Sequence, residues 1–299
     1  MSVSAAMRRG HYACAPVRDA SCFSQLSNLY PYCHAKDGCP MLETFLIFFA
    51  VGFVAQMVDG ALGMAYGVTA TTVLLMFGVP PAHASAATHA AEVFTTAASG
   101  SSHIAHRNVD WRLFWRLAPA GMLGGALGVY LLINIDSTAL KPFIFGYLGL
   151  MGLYIIARMW LPARERPVKP RLIAPLGVAG GFLDATGGGG WGPIVTTTLL
   201  GAGQPPRHTI GTVNAVEFLV TLTISGAFVL ALLTGQWKNA GNLMTHAPAV
   251  GGLVAGGVLA APLAGYVVKS APPRLLGFVA GALITSLSIW QLTVWARAG

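Results

Sequence analysis

Long apolar runs alternate with short polar or basic connections along the chain, and their lengths predict a bundle of membrane-spanning helices. Residues 41–78 form a nearly continuous apolar stretch, well beyond the roughly 20 residues that one crossing requires. Asp59, Gly60 and Gly63 interrupt it near its middle, so it reads as two short crossings, a re-entrant hairpin, or one helix with a capping segment. Pro80 and Pro81 then punctuate the chain. Residues 82–105 predict a helix rich in Ala, Ser and Thr, the composition of helices that pack closely in membranes. Spans are predicted at 113–133 and 140–160, and a basic, proline-broken connection covers 158–171. The pattern then returns: an interrupted segment at 172–203, a helix at 208–234, and spans at 242–268 and 274–295.

The return holds residue by residue. At an ungapped offset of 125, Asp59 falls on Asp184, Gly63 on Gly188, Gly67 on Gly192, and Thr71 on Thr196. The pair Pro80 and Pro81 falls on Pro205 and Pro206, His83 on His208, Glu92 on Glu217, and Thr96 on Thr221. Leucines align by chance in so apolar a chain; an aspartate, a Pro-Pro pair, a histidine and a glutamate together mark a duplication. The chain therefore divides into a polar, Cys-containing leader (1–40), a first transmembrane repeat (41–161), a basic Pro-rich cytoplasmic linker (162–171) and a second transmembrane repeat (172–299).

The halves are parallel if the interrupted segment of each crosses once, and inverted if it re-enters or crosses twice. The inverted arrangement gathers Arg107, Arg112, Arg116, the linker, Arg207, Lys269 and Arg274 on one face, leaving Lys141, Lys238 and Arg297 on the other. The parallel one moves Arg207, Lys269 and Arg274 outside, so the positive-inside rule favours inversion. The expected fold is an all-α polytopic membrane protein. It has two repeat-related, inverted halves, each beginning with a Gly-broken or re-entrant helix followed by three transmembrane helices.

Composition agrees. The chain is 55% hydrophobic and 9% charged, against the roughly 25% charged residues of a soluble domain. Its net charge of +8 lies in short connections between apolar runs, where it sets orientation in the bilayer and implies no nucleic-acid partner. All four cysteines, Cys14, Cys22, Cys33 and Cys39, fall in the leader, with His11 and His34 nearby. They could ligate zinc or form two disulfides, but no C-x-x-C pair occurs. The favoured reading is a disordered leader or an upstream start, since Met41 stands directly before the first apolar run; neither metal nor cofactor is expected.

The candidate chemistry lies in the interruptions. Of ten acidic residues, Asp59, Glu92, Asp184 and Glu217 sit inside apolar segments as two repeat-related pairs. An ionisable group at membrane depth costs about 2.5 kcal/mol or more on insertion scales, so each is a functional candidate. Glu92 and Glu217 are read as proton carriers, against a structural role as helix–helix contacts. Asp59 and Asp184, each just before a glycine-rich break, are read as caps of free backbone N–H groups. The run Gly187, Gly188, Gly189 and Gly190 exceeds what close helix packing needs. A half-helix starting near Trp191 would aim its amides and positive dipole end into the membrane, a seat for an anion. Gly63, Gly67, His89, Trp191, Thr212 and Asn214 complete the candidate substrate site, with Thr88 and Thr186 as further donors. Asn214 is the register partner of His89. His83 and His208 read as helix starts, and His103 as packing.

These residues resemble a known family, the sulfite exporter TauE/SafE family, also called the toluene sulfonate uptake permease family. The resemblance rests on GFLDATGGGGWGPIVTTTLL in the second half and on its weaker copy, GFVAQMVDGALGMAYGVTATTVLL, in the first. It covers about residues 42–295, and Met64 and Ala65 stand where family members tend to have glycines. The family implies secondary transport of sulfite or organosulfonates across a bacterial inner membrane. The leading expectation is therefore a transporter of a small sulfur oxyanion, coupled to protons through Glu92 and Glu217, with one half rocking against the other. A passive anion channel and a cation or metal transporter using the intramembrane acids are the alternatives. No Ser-His-Asp, H-E-x-x-H or nucleotide-binding pattern points to an enzyme. The expected partners are the small anion and the bilayer, and a homodimer is compatible with the sequence.

Overall fold

The computed structural model describes residues 40–298 except 136, 161–168, 239, 242 and 271–272. The four leader cysteines and most of the basic linker lie outside the described residues. Among the described residues ten α-helices follow in order: α1 (Pro40–Leu62), α2 (Tyr66–Met76), α3 (Pro81–Ala105), α4 (Trp111–Asn134), α5 (Ser137–Trp160), α6 (Pro170–Gly187), α7 (Thr197–Gly201), α8 (Pro206–Leu233), α9 (Ala247–Ser270) and α10 (Pro273–Ala298). A π-helical turn, Gly192–Thr196, leads into α7, and a 3₁₀ turn, Leu243–His246, leads into α9. Prolines begin α3, α6 and α8, where the missing N–H would have had no helical partner. The carboxylate of Asp110 starts α4 by accepting from the N–H groups of Arg112 and Leu113 at 2.9 and 3.3 Å.

Among the described residues, six helices are long and apolar enough to cross a membrane: α1, α4, α5, α8, α9 and α10. They leave large apolar side chains such as Val54, Leu123, Phe143, Leu150 and Leu233 exposed, which lipid rather than water would cover. Helix α3 is more polar, and it turns Ser85, Thr88, His89, Glu92, Thr95 and Thr96 into the protein.

The repeat is visible in the pairing of helices. Helix α3 packs on its repeat mate α8, and α5 on its mate α10, whereas α1 packs on α9 and α6 on α4. The first helix of each half thus lies in the other half. Thr96 and Thr221, register partners, face each other with hydroxyls 3.4 Å apart, which puts the pseudo-symmetry axis between α3 and α8. Past α8 the register changes: Trp111 and Ala247 begin matching helices, as do Ser137 and Pro273, an offset of 136 in both cases. The eleven extra residues extend α8 and its connection to α9, which is why the ungapped match fades beyond Thr221.

Contacts at the helix ends fix their senses. Arg207, at the start of α8, donates to the Asn108 side chain at 2.6 Å and to the His106 carbonyl at 3.1 Å, both just past the end of α3. His83, at the start of α3, donates from Nε2 to the Ala240 carbonyl at 2.7 Å, beyond the end of α8, and packs beside His246. So α3 and α8 run antiparallel. Helix α1 runs parallel to α9, with Phe45 against Gly251 and Gly252 and Phe49 against Gly256. The starts of α1 and α3 therefore share one face, and α1 with α2 goes in and comes back. By the same logic α6, parallel to α4 through Gly177 against Leu117 and Gly128 against Ala185, returns through α7 to the face where α8 begins.

Small residues allow the two exchanged pairs to approach backbone to backbone. A Cβ on Gly124 would fall on the Val178 carbonyl of α6, whereas one on Gly226 of α8 meets nothing within 4 Å. Overpacking such a contact costs about 1–3 kcal/mol, and an unobstructed helical Gly→Ala exchange gains up to about 1 kcal/mol. Gly124→Ala is expected to lower the Tm of the detergent-solubilised protein and Gly226→Ala to leave it unchanged or raise it, as followed by tryptophan fluorescence.

Candidate functional site

The two breaks are copies of one local structure. In the second, the Gly188 N–H donates to the Asp184 carbonyl at 2.6 Å, and Gly188 takes φ +68°, which reverses the chain after α6. In the first, the Gly63 N–H donates to the Asp59 carbonyl at 2.6 Å and Gly63 takes φ +66°. The amides released by each break are then met by the same aspartate. Asp184 Oδ1 accepts from the N–H groups of Gly190 and Trp191 at 2.7 and 2.9 Å. Asp59 Oδ1 accepts from the Tyr66 N–H at 3.3 Å. The weaker grip of the first copy has a cause in the sequence: Ala65 stands where the second copy has Gly190, and it is held at φ +107°, which a side chain disfavours.

The breaks press against each other across the axis. Thr71 Oγ1 donates to the Gly188 carbonyl at 2.8 Å, and its repeat mate Thr196 donates to the Gly63 carbonyl at 3.3 Å. Because the Thr71 proton is spent on Gly188, the Thr88 hydroxyl 2.8 Å away must donate to Thr71. Gly67 has the Glu92 carboxyl and the Gly188 carbonyl each 2.6 Å from where a Cβ would stand. Gly187 and Gly190 pack under the Tyr147 ring and hydroxyl, and Gly188, Gly189, Gly190 and Trp191 are buried.

Beside the second break lies a closed cluster of ionisable groups. His89, Glu92 and Asp184 are 0%, 3% and 1% exposed. His89 Nδ1 lies 2.8 Å from the Ser85 carbonyl, which only accepts, so Nδ1 carries a proton. Nε2 faces Asp184 Oδ2 at 3.2 Å and Glu92 Oε2 at 3.9 Å, and that Glu92 oxygen has no hydrogen-bond partner. The hydrogen bond from Nε2 to Oδ2 requires a second proton on the His89–Asp184 pair. Atoms of all three side chains lie within 4.8 Å of one another, a spacing that would also admit a cation.

A narrow polar cleft, too tight in this state to admit a water molecule, lies beside the first break. Asp59, Glu92 and Glu217 line it with Gln56, Tyr66, Thr95, Thr96, Ser99 and Asn214. It thus joins three of the four membrane acids and no lysine or arginine. Ser99 donates to Asn214 Oδ1 at 3.3 Å, and Asn214 Nδ2 donates to the Ile210 carbonyl at 3.0 Å. Of the other substrate-site candidates, Gly63, Gly67 and the run from Gly187 to Trp191 form the breaks themselves, and His89 bridges Glu92 and Asp184. Thr212 sits at the start of α8, donating to the His208 carbonyl at 2.6 Å and accepting from the Asp110 N–H at 2.8 Å. Sequence reasoning missed Gln56, Tyr66, Thr95 and Ser99, and read Thr96 only as a mark of the repeat. Helical spacing carried a signal for most of them. Thr95, Thr96 and Ser99 follow Glu92 at three, four and seven residues, and Gln56 precedes Asp59 by three.

Residues 48–291 match the model of the family described as Sulfite exporter TauE/SafE. The chain belongs to the TauE/SafE family. It is 41% identical over 250 residues to the "Probable membrane transporter protein YtnM" of Bacillus subtilis, covering 81% of each chain. It is 31% identical over 209 residues to a "Probable membrane transporter protein" of Haemophilus influenzae, covering 66% of this chain and 78% of that one. No solved structure matches it. As a TauE/SafE protein with several membrane-crossing helices, the chain is a multi-pass transporter of the inner (plasma) membrane and not an enzyme.

The unequal aspartates of this TauE/SafE protein give a stability prediction. Loss of a helix cap costs about 0.5–2 kcal/mol. Asp184→Ala, which strands two buried amides and His89, is expected to destabilise the protein more than Asp59→Ala, by about 1 kcal/mol or more in thermal or denaturant unfolding.

Proposed function

We propose that the chain is a secondary active transporter that moves a small sulfur-containing oxyanion, sulfite or an organosulfonate, across the inner membrane with proton coupling. The observation that carries this reading is the cleft beside the first break, in which three carboxyl groups stand beside neutral donors and no basic side chain. An anion entering beside ionised Asp59, Glu92 and Glu217 would be repelled. Beside the same groups in protonated form it would find hydrogen-bond donors instead. Anion and proton therefore bind together, with Glu92 and Glu217 as the carriers. Asn214, the hydroxyls of the cleft and the backbone of the breaks at Gly63, Gly67 and Gly187 to Gly190 hold the oxyanion. Neutral donors permit release as well as binding.

The sense of the helices supports inverted halves, each entering the membrane with a broken, re-entrant segment and continuing with three crossing helices. Arg107, Arg112, Arg116, Lys169, Arg171 and Arg207 then lie on the cytoplasmic face, and Lys238 on the other. In a chain whose native cysteines are replaced by serine, Arg107→Cys and Arg207→Cys are expected to react with an impermeant maleimide only from the cytoplasmic side. Lys238→Cys should react only from the opposite side; labelling of Lys238→Cys from the same side as Arg107→Cys, with Arg207→Cys reacting from the other, would establish parallel halves.

Transport is tested with the purified chain in proteoliposomes and labelled sulfite. A pH gradient is expected to drive accumulation that a protonophore abolishes, and Glu92→Gln or Glu217→Gln to reduce it by about tenfold or more. Flux that ignores the gradient would instead identify a passive channel.

A further inference from the structure

We propose that His89, Asp184 and Glu92 form a proton site that controls the second break, with His89 carrying the proton between the cleft acid and the aspartate that holds the half-helix amides. The inference rests on the proton-coupled reading above and adds to it a route and a consequence. Its footing is geometric. Glu92 is shared by the cleft and the cluster, and its Oε2 is buried without a hydrogen-bond partner 3.9 Å from His89 Nε2. The bond from Nδ1–H to the Ser85 carbonyl fixes the imidazole, so that only Nε2 is free to exchange protons. On the far side of Nε2 stands Asp184 Oδ2, whose partner oxygen is the acceptor for Gly190 and Trp191.

The transfer balances in two moves. Starting with Nε2 bare and Asp184 a carboxylate, the Glu92 O–H bond breaks and an N–H bond forms at Nε2, giving the Nε2–H that meets Asp184 Oδ2 in the state described here; that N–H bond then breaks and an O–H bond forms at Asp184 Oδ2. Glu92 ends as a carboxylate and Asp184 as a neutral acid, and one proton has crossed the imidazole. A neutral carboxyl accepts more weakly than a carboxylate. The Gly190 and Trp191 amides are then released from a strong internal acceptor and become available to an oxyanion. In the state described here, the Asp184 carboxyl occupies the seat such an anion would take. The first copy lacks this switch, because Asn214 stands in register with His89.

Among the described residues, no lysine or arginine lines the cleft beside this cluster. Asp59 on α1, Tyr66 on α2, Tyr147 on α5 and Glu217 on α8 are the other titratable groups facing the cluster. Helices α4 and α9 carry their charged residues only near their ends, as Arg112 and Arg116 in one and Lys269 in the other.

The test separates this route from the substrate reading. In the purified full chain without substrate, infrared difference spectra between acidic and alkaline buffer are expected to show a protonated-carboxyl band that shifts in Asp184→Asn and is lost or altered in His89→Asn. In proteoliposomes, His89→Asn is expected to lower gradient-driven accumulation of labelled sulfite by about tenfold or more and to flatten its dependence on pH. If the wild-type chain moves no sulfite, the substrate reading fails and the infrared result alone decides the proton route. The route is overturned if His89→Asn leaves the carboxyl band and the pH dependence unchanged. It is also overturned if Zn²⁺ raises the Tm of the wild type but not of His89→Asn and no proton-linked band is found, which would assign the cluster to a cation.

Discussion

A backbone N–H or C=O group left without a partner at membrane depth costs several kcal/mol, and the two helix breaks place such groups where water cannot meet them. The arrangement at the centre of the protein follows from that cost. Asp184 takes the Gly190 and Trp191 amides, Asp59 takes the Tyr66 amide, and Thr71 and Thr196 reach across the axis to carbonyls of the opposite break. The glycines follow from the same requirement, since the breaks satisfy each other only if their backbones come into contact. The two aspartates are there for the amides first, and the proposed chemistry adds Glu92 and Glu217 beside them.

The duplication has let the two copies diverge within this constraint. Both keep the aspartate, the glycine at positive φ and the threonine across the axis. The second adds a tighter cap and a histidine behind it, and the first faces a narrow polar cleft with Asn214 and a polar stripe from α3. Strong retention of backbone on one side and a cleft of polar side chains on the other make a transporter's two copies complementary rather than redundant.

Much of this was legible in the sequence, because the signals were local or repeated. The interrupted segments, the register from Asp59 to Thr221 and the four membrane acids all follow from residue type and spacing. The partners of those acids were not legible. Nothing in the spacing places His89 on Asp184, 95 residues away, since that contact depends on how α3 lies against α6. The exchange of first helices between halves was equally hidden, because α1 and α9 share only a supply of small residues that many helix pairs would accept. The break in register past α8 also masked the symmetry of α4 and α5 with α9 and α10. An insertion in a connection leaves packing intact while defeating an ungapped comparison.

That exchange bears on how such a protein can move. Because α1 is fastened to α9 and α6 to α4 through backbone-close contacts, neither half of the sequence is a free rigid body. The packing divides the helices into composites drawn from both halves, α1 with α9 and α4 with α6, which meet at the α3–α8 pair. Each composite carries one broken segment with it, and any displacement changes the contact between the two breaks at once. The chain's duplicated order and its mechanical division are therefore two different partitions of the same helices.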